Sequence, residues 1–281
     1  MSSAVGQSVN ANTWNSHRVE RWSNDQTVDG IDQVAEEVPV ALVYNGISHA
    51  VMLATPADLE DFAVGFSLSE GILNDLSDLY DLEAVQVDAG IQVDLRISSE
   101  CFMRLKQRRR NLAGRTGCGL CGVETLEQAV REPAPVRSSA EVTAQAVHRA
   151  MTALAPRQQL QRITGAVHAA GWANLDGELL CVREDVGRHN ALDKLLGAIA
   201  REGLAHDKGF VVITSRASYE IVSKAATRGV GLVAAISAPT GLAVRIAEEA
   251  GVTLLGFTRN AGHVVYANPE RLNSTYSGTS T

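Results

Sequence analysis

Cys118 and Cys121 stand three residues apart in Thr116-Gly-Cys-Gly-Leu-Cys-Gly122, and they are the residues of this chain best suited to chemistry at sulfur. A free thiol titrates near ~8.5, and nearby cations or a helix N-terminus lower that by several units. Both influences are written around the pair. Arg104-Leu-Lys-Gln-Arg-Arg-Arg110 and Arg115 precede it. Val123 to Val130 reads as a short helix whose positive end points back at the sulfurs. Three chemistries suit such a pair. A zinc knuckle needs two further ligands at short spacing, and His148 and His168 are distant in sequence. A thioredoxin-type centre belongs early in a β-α-β unit, whereas this pair follows hairpins. A thiolate that accepts sulfur and passes it on as a persulfide is served by an activated thiol in a glycine-rich loop.

A second group of residues suits anion binding. Arg183-Glu-Asp-Val-Gly-Arg-His-Asn190, Ser215-Arg-Ala-Ser218, Ser237-Ala-Pro239 and Thr258-Arg-Asn-Ala-Gly262 each follow an apolar, strand-like run. In an open α/β sheet, ligands bind beyond the carboxyl ends of the strands. The last three segments are therefore expected on one rim, with the first nearby. They would bring together Arg188, His189, Arg216 and Arg259 with several hydroxyls. Arginines, hydroxyls and free helix N–H groups are what a phosphate or pyrophosphate requires. Each residue taken singly also fits a plainer role as helix cap or surface charge.

The elements that must position these groups read as two halves. Val38 to Tyr44, the turn Asn45-Gly46 and Ile47 to Leu53 read as a hairpin. Thr55-Pro-Ala-Asp58 reads as a helix start, with Leu59, Phe62, Ala63 and Phe66 on one face and Glu70-Gly71 at the end. Val85 to Ile97 reads as a second hairpin around Ala89-Gly90. Glu132 to Ser139 is the best linker. Beyond it, Ser138-x-x-Glu141 resembles a capping box, before a stripe of Val142, Ala146, Ala150 and Leu154. Two strands then meet at Asp176-Gly177. Helices and strands alternate over 191–200, 210–214, 219–228, 231–236, 240–250 and 252–257, which implies parallel pairing with right-handed crossovers.

The expected fold is thus α/β: an α+β, hairpin-rich subdomain at 26–135 carrying the cysteine loop, and an α/β subdomain at 136–272. Residues 1–25 are expected to be disordered and 273–281 to be a polar tail. An apolar content of 45% suffices for real cores in a chain of 281 residues. The net charge of −7 argues against wholesale nucleic-acid binding and makes the basic run at 104–110 a local feature. Four cysteines do not make a disulfide framework; Cys101 and Cys181 read as buried small residues, and a reducing cytoplasm fits. No stretch approaches the ~18 apolar residues of a membrane span.

Read in order, these segments resemble the formate dehydrogenase accessory sulfurtransferases, the FdhD family. The matching residues are Val43-Tyr-Asn-Gly46, Met52-x-x-Thr-Pro56, Gly65-Phe66, Ser69-Glu-Gly-Ile72 and Thr116 to Gly122. The second half adds Thr164-Gly-x-x-His-Ala-Ala170, Glu184 to Lys194, Ser215-Arg-x-Ser-x-Glu220, Ser237 to Thr240 and Leu255-Gly-Phe-x-Arg259. Thr214-Ser215 departs from the Ser-Gly of many relatives.

The resemblance implies a cytoplasmic sulfurtransferase with two protein partners, a cysteine desulfurase as donor and formate dehydrogenase as recipient. The sulfur would go to the molybdenum or tungsten bis(molybdopterin guanine dinucleotide) cofactor, which is the bound substrate. It maps Cys118 onto the persulfide-bearing cysteine, with Cys121 as its partner. It maps Phe257, Thr258, Arg259, Asn260, Ala261 and Gly262 onto the cofactor-binding segment. It implies a three-layer α/β/α second half like the cytidine deaminase fold and, with the two-armed ligand, a homodimer. The chain lacks a Pro-Cys-x-x-Cys element there, so deaminase-type zinc chemistry and a resident metal are not expected. The alternative is a carrier of the same cofactor without sulfur chemistry.

Overall fold

The computed structural model describes residues 11–113, 133–138 and 140–273, and within them the side chains outside 108–113. Cys118, Cys121, Arg115 and the helix expected at 123–130 lie outside the described residues.

The first lobe is a four-stranded sheet in the order β4-β3-β6-β5. Its strands are β3 (Val38–Tyr44), β4 (Ile47–Ala54), β5 (Leu79–Val87) and β6 (Gly90–Ile97). Alternation decides its layers: Val40, Leu42, Ile91, Val93 and Leu95 point into a core capped by helix α1 (Leu59–Ser69). The helix starts later than its sequence suggests. Asp58 caps it in a left-handed conformation, φ 53°, and Thr55-Pro56 remains outside. Helix α2 (Ser99–Ala113) follows β6 and contains the basic run 104–110.

The second lobe is a six-stranded sheet in the order β13-β12-β11-β10-β8-β9. Strands β10 (Gly209–Ile213), β11 (Leu232–Ala235) and β12 (Thr253–Arg259) are parallel. Strands β8 (His168–Asn174) and β9 (Leu179–Asp185) form an antiparallel hairpin at one side, and β13 (Gly262–Ala267) runs antiparallel to β12 at the other. One face is covered by α5 (Arg188–Arg201), α6 (Tyr219–Thr227) and α7 (Gly241–Ala250), the other by α3 (Ala144–Arg157), followed by the short α4 (Gln159–Thr164). Before α3, the two-residue strand β7 (Val142–Thr143) pairs in parallel with β14 (Leu272–Asn273). The stripe Val142, Ala146, Ala150, Leu154 is buried, but the cap of α3 is Thr143, whose Oγ1 accepts from Ala146 N at 3.1 Å, and not Ser138.

Two helices weld the lobes. Gly65 of α1 and Gly197 of α5 face each other's backbones so closely that a Cβ on Gly65 would overlap Asp193 O, and one on Gly197 would overlap Asp61 O. Overpacking of this kind costs about 1–3 kcal/mol or more. Gly65→Ala is therefore expected to lower the urea midpoint by at least that equivalent. An unchanged midpoint would show that the crossing is not this close.

The N-terminus corrects the sequence reading. Residues 14–25 are not disordered: β1 (Trp14–Ser23) pairs antiparallel with β2 (Gln26–Ala35) through a turn with Asn24 and Asp25 at φ 49° and 61°. Two consecutive left-handed residues make the hairpin turn that matches strand twist. Lone charged residues and a missing apolar core hid this ribbon, because it buries almost nothing.

Candidate functional site

Strand polarity brings the expected segments to one end of the second sheet. The carboxyl ends of β10, β11 and β12 share that end. Because β8 is antiparallel to β10, and β9 to β8, the start of β8 and the end of β9 join them; His168 pairs with Asp185. Backbone bonds lace the loops together. Ile236 N donates to Ile213 O at 3.0 Å, Thr240 N to Ala217 O at 2.9 Å and Phe257 N to Ser237 O at 3.2 Å. Thr214, the departure noted above, accepts from Ala169 N at 2.8 Å through its hydroxyl.

The rim's polar groups sort into held and open. Asp185 is a hub, fully buried with Lys194 at 2.7 Å. Its Oδ1 accepts from Gly187 N at 2.8 Å and Asn190 Nδ2 at 3.1 Å, and its Oδ2 from Thr55 N at 3.0 Å. Lys194 Nζ also donates to Thr55 O at 2.9 Å, and Thr55 Oγ1 accepts from Val186 N at 3.1 Å. Thr55, read from sequence as a helix cap, instead ties the first lobe to the loop that carries Arg188 and His189. No local sequence signal pairs residues 130 positions apart, so this role was not legible.

His189 Nε2 lies 2.7 Å from Glu220 Oε2 and 3.1 Å from Ser218 Oγ. Both partners meet the same nitrogen, so Ser218 is not a nucleophile activated by a histidine that a carboxylate orients through its other nitrogen. Nor does Ser218 cap α6 through its side chain. Burial lowers the pKa of His189 most; Glu220 raises it, and Arg188, Lys224 and His168 lower it. Burial and Arg188 likewise lower His168, against Asp185. Below α6's first turn, Lys224 Nζ donates to Asp193 Oδ2 at 2.9 Å, Glu70 Oε1 at 3.0 Å and Ser69 Oγ at 3.1 Å, a second buried tie between the lobes.

Open groups remain at this end. Among the described residues, Arg188 Nε is buried with no hydrogen-bond partner, and so is Thr258 Oγ1, in a residue that is fully buried. Arg216 and Arg259 are exposed. The 258–262 segment is not a loop entering a helix. β12 runs through Arg259, and Asn260-Ala261 make a left-handed turn into β13. Phe257 is left-handed as well, φ 51°, rare for a bulky residue and typical of sites that hold strain for function. Its ring is half-exposed, with the Arg259 guanidinium 5.9 Å from the centroid. Arg188, His189, Arg216 and the 257–262 turn therefore belong to one sheet end. Cys101 and Cys181 are buried, and burial raises both thiol pKa values, that of Cys181 to about 11. Among the described residues, no helix is long and apolar enough to cross a membrane, and no three His, Cys, Asp or Glu cluster as metal ligands.

Comparison with known proteins agrees with the order of motifs. The FdhD/NarQ family model matches residues 35–273. The chain is 61% identical to the sulfur carrier protein FdhD of Cupriavidus necator over 260 residues, 92% of this chain and 90% of that one. It is 56% identical to the sulfur carrier protein FdhD of Bordetella petrii over 241 residues, 86% and 87% of the two chains. In fold it is similar to a crystal structure from Desulfotalea psychrophila described as a formate dehydrogenase accessory protein, with TM-score 0.74, 22% identity, and 93% of this chain and all of that one covered. With its motifs in order from the first hairpin to the β12–β13 turn and its whole two-lobed body matched, this chain belongs to the FdhD/NarQ family.

Proposed function

We propose that the chain is a sulfurtransferase for the maturation of formate dehydrogenase, working through a cysteine persulfide. The family membership supports sulfur transfer. The Cys118 thiolate attacks the outer sulfur of the desulfurase persulfide. An S–S bond forms to Cys118, the donor's S–S bond breaks, and the donor cysteine leaves as thiolate. Cys121 then assists release of the sulfur or resolves the persulfide as a disulfide. The basic run of α2 precedes this pair in sequence and would stabilise the thiolate and attract an anionic substrate or an acidic partner surface.

The substrate in this reading is the molybdenum or tungsten bis(molybdopterin guanine dinucleotide). What supports the binding half is the second-lobe rim, where the segments bearing Arg188, Arg216 and Arg259 share one sheet end and, among the described residues, Arg188 Nε and Thr258 Oγ1 are buried without a partner. Arg188, Arg216 and Arg259 would hold phosphate, with the turn Phe257 to Gly262 beneath the nucleotide and His189, neutral near pH 7, donating or accepting a hydrogen bond. In this reading the second lobe is a three-layer lobe of the cytidine deaminase type, the nucleotide would lie at this end of its sheet, and the work is done in the cytoplasm. A homodimer would offer two rims to the two guanine arms.

Guanosine diphosphate is the simplest probe. Arg259→Ala is expected to weaken its binding by about tenfold, the loss of one charge-assisted contact worth ~1.4 kcal/mol. Calorimetry that finds parent and variant equally tight removes Arg259 from the phosphate site.

A further inference from the structure

The ribbon β1–β2 buries almost none of its own surface: Trp22 is 74% exposed, Val28 63% and Ile31 62%. A two-stranded hairpin alone is marginal in water. The two sides of this one differ. β2 lies against α4 of its own body. Among the described strands β1 pairs only with β2, so its other edge presents open N–H and C=O groups. β1 has neither proline nor lysine nor a bulge, and the charges it carries, Arg18, Glu20 and Arg21, are of both signs.

We infer that this edge is where a second copy of the chain docks, β1 against β1′ antiparallel, so that the two ribbons make one four-stranded sheet. Charge complementarity selects the occupant. A two-fold centred on Val19 sets Arg18 opposite Glu20 of the second copy, twice by symmetry, with all four side chains on one face of the sheet. The same register puts Trp22 opposite Ser16 of the other copy, between its Trp14 and Arg18, which covers the most exposed of these side chains. Opposite charges and aromatic pairs across strands stabilise by about 0.2–1 kcal/mol each. β2 offers no such match: its charges, Asp29 and Asp32, are both acidic, so two β2 edges would face like charges. All of the ribbon but Ala35 precedes the region matched by the family model, 35–273. The inference adds a surface to the homodimer proposed above and does not depend on the sulfur chemistry.

The test is the mass of the full chain in solution by sedimentation velocity. The parent is expected to dimerise. Arg18→Glu alone and Glu20→Arg alone each set like charges opposite and are expected to raise the dimer dissociation constant at least about tenfold. An equimolar mixture of the two variants restores both Arg–Glu pairs and is expected to dimerise again, as is the double variant R18E/E20R. Val19→Cys is expected to crosslink across the two-fold under mild oxidation. A monomeric parent overturns the inference. A parent dimer that both single variants leave intact overturns it too, while leaving a homodimer built on another surface. Single variants that dissociate but do not recover on mixing contradict the Arg18–Glu20 register. Arg18 and Glu20 are exposed and Val19 is half-buried, and an unchanged circular dichroism spectrum confirms that each variant is folded.

Discussion

A Cys118→Ala chain is expected to leave formate dehydrogenase inactive in cells that lack the native protein, a loss of at least about 100-fold. The reason is chemical. Alanine offers no thiolate to take sulfur from the donor, and Cys101 and Cys181, the cysteines among the described residues, are buried with raised pKa values and cannot substitute. Guanosine diphosphate binding should be unchanged, because the rim belongs to the second lobe. That pairing of outcomes separates sulfur transfer from simple carriage of the cofactor. Active formate dehydrogenase made with Cys118→Ala would leave only the carrier. Cys121→Ala retains the first thiol, so it should still load sulfur even where delivery fails.

The second large effect is expected at a residue far from any cysteine. Lys194→Met strands Asp185 as a buried carboxylate that has lost its cation. Breaking one side of a fully buried pair costs about 3–5 kcal/mol. Three donors still hold the carboxylate, Thr55 N, Gly187 N and Asn190 Nδ2, so the variant is expected to fold with reduced stability. The measurement is the free energy of unfolding in urea, alongside guanosine diphosphate affinity. Affinity should fall as well, because Asp185 anchors the turn that carries Arg188 and His189. A variant as stable as the parent would mean that Lys194 and Asp185 are not a buried pair.

Much of this was legible in sequence because it is local. Asn45-Gly46 and Asp176-Gly177 mark hairpins by turn chemistry, and the helical stripe at Val142 to Leu154 follows from periodicity. Strand polarity then brings four separate loops to one sheet end, a consequence of right-handed crossovers and not of any motif. What was illegible is long-range or unburied. Thr55 looks like a helix cap because Pro56 follows it, yet three of its bonds go to Asp185, Val186 and Lys194, roughly 130 residues away. Ser218 stands where a cap belongs, but His189 takes its hydroxyl. The β1–β2 ribbon escaped because its apolar residues are diluted by charge on both faces, as in a segment without structure. β13 escaped because the turn at Asn260-Ala261 uses left-handed residues other than glycine.

The central claim is that sulfur travels on Cys118. Purified protein incubated with a cysteine desulfurase and cysteine, then digested and read by mass spectrometry, tests it most directly. The account predicts a gain of about one sulfur atom, ~32 Da, on the peptide at Cys118, removed by reductant. A peptide that stays unmodified while the desulfurase itself is loaded would contradict it.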